Sequence, residues 1–266
     1  MSCLSLLTAV TAGFEPFLAA LLISLGRSQA AGTPVSLVVL HRDLSTDARR
    51  QLASLLPPPH TVRWLSKAEA DPHGQLAQRS PHYLRLLLHR AHPDAERVLY
   101  LDADTIVLDD LSPLLSLPLH GCTVGAVVDW LSSIREGITD WRRFDLSPDA
   151  PYFNSGVLVV NTTRWVQTGV PERVLSVAEA IGGACKSPQG WPQHDQSPLN
   201  VVLHGDWLPI SPRWNHFSER AIEDPLPAVV HFLGNGKPGS ATCQEAFSLA
   251  FEALLAGTQW APQPPP

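Results

Sequence analysis

The chain has 266 residues, with 19 lysines and arginines against 25 aspartates and glutamates, a formal net charge of −6. Hydrophobic residues make up 44% and charged residues 17%, which excludes the composition of a disordered chain. The mild acidity argues against the basic face that non-specific nucleic-acid binding needs, and a chain of this length buries enough surface to fold without a metal or disulfide.

Leu4–Val10 reads as a buried strand closed by Thr11-Ala12-Gly13. Pro16 suits the first turn of a helix that continues over Phe17–Arg27. Its apolar run Leu18–Leu25 is far shorter than the about 20 residues that cross a bilayer. No basic residue precedes it, as a signal peptide would require. The expectation is a cytoplasmic chain without a membrane span, peripheral association being allowed. Val35–Leu40 and Thr61–Leu65 are further strands. Between them Ser45-Thr46-Asp47-Ala48 has the N-cap pattern of a helix that Pro57-Pro58-Pro59 stops. Ser80-Pro81 opens a predicted helix over Tyr83–His92, and Arg97–Leu101 is a fourth strand ending at Asp102. This alternation means an α/β fold with a largely parallel sheet.

The second half is less regular. Thr123–Val128 and Gly156–Val160 are predicted strands, with Asp129–Ala150 between them read as loop and short helix. Pro171–Ala180 is an amphipathic helix, Gly182–Gln193 a loop, Gln244–Leu255 a closing helix and Ala261–Pro266 a frayed tail. Cysteines at 3, 122, 185 and 243 have no CxxC spacing, against a zinc knuckle or a dense disulfide framework and in favour of a reduced, soluble enzyme.

Chemistry concentrates in four places. Asp102-Ala103-Asp104 follows a strand directly, where ligands of α/β sheets bind. In extended chain its two carboxylates point to one side, towards a hard cation such as Mn²⁺ or Mg²⁺. Alone, the pair reads equally well as a solvated acidic turn. Tyr152–Trp165 (YFNSGVLVVNTTRW), Gln193–Asn200 (QHDQSPLN) and Val230–Gly239 (VHFLGNGKPG) complete the set. Asp102-Ala103-Asp104-Thr105 also touches on the DxDxT nucleophile of haloacid-dehalogenase-type phosphatases, but Ile106 stands where that motif wants Thr or Val.

Strand-DxD, FNSG, DQxxLN and HFxGxxKP, in that order from about Leu4 to Gly239, resemble glycosyltransferase family 8, which includes glycogenin and the lipooligosaccharide galactosyltransferases. The resemblance implies a single GT-A (Rossmann-like) domain over 1–257, with a mixed, mostly parallel central sheet. Its nucleotide-binding half would cover about 1–105 and its sugar and acceptor half about 106–240, then the helix 244–255 and a Pro-rich tail 258–266. It implies transfer of a hexose from a nucleotide sugar, UDP-glucose or UDP-galactose, to a glycan or small-molecule acceptor with retained configuration. Asp102, Asp104 and His231 would hold Mn²⁺ (or Mg²⁺) against the diphosphate. Lys237 and Gly234 would meet the phosphates; Thr11, Phe14 and Ala103 would lie at the nucleotide. Arg85, Asp129, Asn154 and Ser155 would contact the sugar, with Asp195 and Gln196 beside the anomeric carbon. An amide is a poor nucleophile, so a same-face departure and attack is expected rather than a covalent intermediate on Gln196. The first strand lacks the acid that family members commonly place near Thr11, which implies weaker or altered base preference. A catalytically impaired nucleotide-sugar or glycan binding module is the alternative.

Overall fold

The computed structural model describes residues 3–29, 32–76, 79–182 and 185–261, so most of the expected tail lies outside the described residues. The first half runs β1 (Leu4–Val10), α1 (Glu15–Ser28), β2 (Val35–His41), α2 (Thr46–Ala53), β3 (Thr61–Ser66), the single turn α3 (Lys67–Ala70), α4 (Leu88–Ala91), β4 (Arg97–Leu101) and β5 (Thr105–Val107). The second half runs β6 (Val124–Ser133), α5 (Ile134–Gly137), β7 (Pro151–Asn161), α6 (Thr162–Gln167), α7 (Val170–Ile181), α8 (Gln196–Val202), β8 (Trp207–Pro209), β9 (His216–Phe217), β10 (Val229–His231) and α9 (Glu245–Leu255).

Seven strands form the central sheet in the order β3-β2-β1-β4-β7-β6-β8. Only β7 runs against the others, so the sheet is mixed and mostly parallel, as expected. A parallel sheet is covered on both faces, which is why β1 and β2 are nearly continuous apolar runs. Leu6, Val10, Leu37 and Val39 pack with Leu18, Leu22 and Leu25 of α1 and Phe247 and Phe251 of α9. On the opposite face Leu7, Val38, Leu40 and Tyr100 pack with Leu84, Leu87 and Val174. Each such buried side chain contributes about 1.5–3 kcal/mol. The predicted cap of α2 is present, with Ser45 Oγ accepting from Ala48 N–H at 3.1 Å.

Three segments differ from the sequence reading. Pro81–Leu87 is a 3₁₀ helix leading into α4 rather than one α-helix. The tighter winding keeps Arg85 turned inward, where its Nε donates to the His82 carbonyl three residues back. β6 continues to Ser133 and β7 begins at Pro151, so both strands are longer than expected. Asp129 and Asn154-Ser155-Gly156 therefore lie within strands. Polar residues and glycine hide that from local propensity, and cross-strand pairing supplies it. The segment between them is rooted by a small third core of Leu131, Ile134, Ile138, Leu146 and Tyr152.

β1 turns to β2 on one side and is flanked by β4 on the other, a switch in strand order that opens a crevice at the carboxyl ends of β1 and β4. β5, β10 and β9 form a separate small sheet beyond it.

Candidate active site

Backbone hydrogen bonds bring the motifs together. Asp102–Asp104 is the turn between β4 and β5, closed by Thr105 Oγ1 donating to the Asp102 carbonyl at 2.8 Å. The two carboxylates thus converge through a turn, not through the extended chain expected. β10 pairs antiparallel with β5, setting His231 opposite Thr105, and Phe232 N–H donates to the Asp104 carbonyl at 3.0 Å. Asp102 N–H donates to the Gly156 carbonyl at 2.7 Å, tying in β7.

One ligand atom each from Asp102, Asp104 and His231 lies within 4.8 Å of the others. His231 Nε2 faces Asp104 Oδ1 at 3.4 Å and Asp102 Oδ2 at 3.8 Å. Its Nδ1 is 3.0 Å from Asn215 Oδ1, while the Asn215 amide donates to Asn154 Oδ1 at 2.8 Å. That network assigns a proton to Nδ1 and turns Nε2 towards the carboxylates. Asp102 Oδ1 is held by the Tyr100 hydroxyl at 2.7 Å and by Arg85 Nη2 at 3.1 Å, turning Oδ2 inward. Two carboxylate oxygens and an oriented imidazole nitrogen suit a divalent cation of the Mn²⁺ type. Gly156 is required here, since a Cβ would collide with the His231 imidazole. Asp104 Oδ2 accepts from Lys237 Nζ at 2.5 Å. Burial would raise the Asp104 pKa, but His231 and Lys237 outweigh it and hold the carboxyl well below its usual range.

Arg85 is 1% exposed, more enclosed than an open donor contact would be. It donates to the Ser155 carbonyl, the His82 carbonyl and Asp102, and lies over the Tyr100 ring. Burial alone would lower its pKa, but Asp102 and Asp195 push it up and keep the charge. Asp195 shares this cation unevenly. Its Oδ2 is 2.8 Å from Arg85 Nε yet without a hydrogen bond, because that N–H is aimed at His82. Burial therefore pushes the Asp195 carboxyl up to about 7, with Arg85 pulling the other way. The folded chain holds a proton there that an unfolded aspartate, at about 3.9, has lost. This group's contribution to stability is complete below about pH 4 and is lost as pH rises through about 7. Asp195→Asn is expected to flatten the fall in Tm between pH 5 and pH 8, measured by scanning fluorimetry. An unchanged slope would assign the pH dependence elsewhere.

Asp129, Asn154, Ser155 and Gln196 form one cluster. Asp129 Oδ2 accepts from Asn154 Nδ2 at 2.7 Å and from Gln196 Nε2 at 3.2 Å. Gln196 Oε1 accepts from Ser155 N–H at 2.9 Å. Burial raises the Asp129 pKa despite these donors. Phe14, at the N-cap of α1, lies by Lys237 instead, its ring 6.0 Å from Nζ. Ala103 is buried in the turn between the two aspartates. Among the described residues no hydrogen bond or ion pair ties Thr11 or Gly234 to the cluster; the Thr11 carbonyl accepts from Phe14 N–H, and Gly234 turns at φ +51°.

Sequence reasoning missed Asn215, Tyr100 and Asp43. The first two orient His231 and Asp102. Asp43 Oδ1 accepts from Ala12 N–H at 2.9 Å, bringing a carboxylate from the loop after β2 to the turn whose own strand lacks one. Asn215 and Asp43 stand outside the motifs and Tyr100 lies in the strand before Asp102, so only the folded chain pairs their side chains with the site.

A model of glycosyl transferase family 8 matches residues 20–243. The chain belongs to glycosyl transferase family 8. Membership bears out the resemblance read from its motifs, and with it the expected enzyme class, a glycosyltransferase. General stress protein A of Bacillus subtilis (strain 168) is 25% identical over 181 residues, 62% of this chain and 60% of that protein. Lipopolysaccharide 1,2-glucosyltransferase of Escherichia coli (strain K12) is 30% identical over 156 residues, 54% of this chain and 44% of that protein. The matches thus span only about half the length of these curated relatives. The galactosyltransferase LgtC, solved with donor and acceptor sugar analogues, superposes with a TM-score of 0.78 at 21% identity, covering 98% of each chain. That superposition gives the fold, GT-A.

Proposed function

We propose that this protein transfers a hexose, glucose or galactose, from a UDP-linked sugar to a glycan or small-molecule acceptor with retention of configuration. The observation that supports this reading most strongly is the meeting of Asp102 and Asp104, from the turn after β4, with His231 of β10, their ligand atoms within 4.8 Å. These three residues would hold Mn²⁺, with Mg²⁺ as the alternative. Bound there, the cation would offset the negative charge that develops on a diphosphate leaving group. Lys237 adds a second positive charge at that end, and Gly234 leaves the backbone open to phosphate oxygens. Phe14, 41% exposed beside Lys237, would offer a ring face to the base, with Thr11 and Ala103 as the further nucleotide contacts that the family motifs imply.

The cluster of buried Asp129, Asn154 and Ser155 with half-buried Gln196 takes the sugar hydroxyls. Gln196, tied at both ends of its amide, presents a fixed dipole rather than a nucleophile, which suits stabilisation of positive charge at the anomeric carbon. Arg85 and Asp195 act behind it, Arg85 by orienting Asp102. The names of the glucosyltransferase and galactosyltransferase relatives support a hexose. No helix among the described residues is long and apolar enough to cross a membrane, and the four free cysteines suit a reducing compartment, in line with a cytoplasmic site of action.

The test is a thermal-shift panel of nucleotide sugars with Mn²⁺, Mg²⁺ or EDTA, read beside donor hydrolysis and transfer. UDP-glucose or UDP-galactose should raise Tm only with metal and be turned over. A shift without turnover would favour a binding module, and no response to any nucleotide sugar would overturn the reading.

A further inference from the structure

Gln196 is held by more than Ser155 and Asp129. A primary amide has two N–H donors and an oxygen that accepts twice, and Gln196 uses all of them. Its Oε1 accepts from Ser155 N–H at 2.9 Å and from Ser155 Oγ at 3.3 Å. Its Nε2 donates to Asp129 Oδ2 at 3.2 Å and to Gln193 Oε1 at 3.0 Å. Gln193 stands in the loop before α8, where its backbone N–H donates to the Cys185 carbonyl at 2.7 Å. Gln193 Oε1 also accepts from the Tyr152 hydroxyl at 3.1 Å, and that hydroxyl lies 3.2 Å from Ser197 Oγ. The Tyr152 ring packs on Gly137 with no room for a Cβ between them. Burial pushes the Tyr152 pKa up, so the hydroxyl keeps the proton that it donates.

We propose that Gln193 is a positioning residue for Gln196, fixing the plane of its amide and acting on transfer only through it. This rests on the hexosyl-transfer reading, in which Gln196 presents a fixed dipole to the anomeric carbon. The polarity of the network runs one way. Asp129 accepts from Asn154, Leu131 and Gln196 alike, and a backbone N–H such as that of Ser155 can only donate. Together they decide which end of the Gln196 amide is nitrogen. Its second N–H then needs an acceptor, and Gln193 Oε1 supplies it at the shorter of the two Nε2 distances. Tyr152 in turn holds that oxygen in place. A dipole stabilises developing charge most when it has no reorganising left to do, and fixing it is the task of the residues behind it.

The test compares wild type with Gln193→Leu and Gln193→Glu, alone and in a Gln196→Ala background, using UDP-glucose and UDP-galactose as donors. Gln193→Leu keeps the bulk and removes the acceptor. It should lower kcat about tenfold and leave donor KM within about twofold. Gln193→Glu keeps an oxygen for both Gln196 and Tyr152 and should recover most of the loss. In the Gln196→Ala background, Gln193→Leu should cost less than about twofold more, because a residue acting through Gln196 has nothing left to act on. A raised donor KM at unchanged kcat would make Gln193 a sugar contact, and the full loss on top of Gln196→Ala would make its effect independent of Gln196; either overturns the inference. NMR of the Gln196 side-chain amide, assigned by its absence in Gln196→Ala, separates this from the transfer reading because it needs no turnover. Both amide protons should be protected from exchange in wild type. One should lose that protection in Gln193→Leu and regain it in Gln193→Glu. Equal protection in wild type and Gln193→Leu overturns the inference.

Discussion

Asp104→Asn is expected to reduce Mn²⁺-supported turnover by about a thousandfold or more, since it removes a charged ligand and the counter-charge of Lys237 together. The substitution keeps the shape of the turn, because the Asp104 carbonyl, not its side chain, pairs with Phe232. Loss of activity should therefore come with loss of Mn²⁺ binding in calorimetry while the fold persists. Stability gives an independent reading without metal. The wild-type carboxyl is held well below its usual range by His231 and Lys237 against the opposing effect of burial. A depressed carboxyl pKa contributes stability above about pH 4 and loses it as pH falls further. The variant should melt below wild type at pH 7, and the two curves should approach each other towards pH 3. Wild-type-like metal-dependent turnover in Asp104→Asn would remove this residue from the proposed ligands.

The parts of the fold written in local pattern were legible in the sequence. β1, β2 and β4 are nearly continuous apolar runs, and Ser45 and Pro16 mark helix starts by chemistry that needs no partner. The site residues were legible only because their motifs lie in a recognisable order. Nothing local brings His231 to Asp104; the antiparallel pairing of β10 with β5 does so. Arg85 shows the limit most clearly. The resemblance makes Arg85 a sugar contact, and only the folded chain shows the whole guanidinium inside, hydrogen-bonded to Asp102 and two carbonyls with Asp195 beside it. Polar satisfaction of that kind is a property of distant neighbours, and propensity carries no trace of it. Trp130 is illegible for the opposite reason. An exposed aromatic in a stretch without period reads as loop, and only the length of β6 shows it to be held on a strand.

Gly156→Ala, a change of one methyl group outside the proposed ligands, is expected to damage the site nearly as much as losing one of them. The added Cβ would fall on the His231 imidazole and crowd the Asn154 side-chain oxygen as well. Neither neighbour can give way alone. His231 is anchored through Nδ1 to Asn215, and Asn154 Oδ1 already accepts from Gly156 N–H at 2.9 Å and from Asn215. Backbone retreat is blocked too, because the Gly156 carbonyl holds Asp102 N–H at 2.7 Å, so a shift of β7 moves the first aspartate of the cation cluster. Overpacking of this kind costs about 1–3 kcal/mol in stability. Displacing the imidazole should also weaken Mn²⁺ binding and lower turnover by about a hundredfold, at the upper end of what loss of ligand orientation does. Metal affinity and Tm measured on the same preparation decide the matter. If Gly156→Ala binds Mn²⁺ and melts as wild type does, the imidazole has room to spare, and the close approach of β7 to β10 is not what sets His231 against the two aspartates.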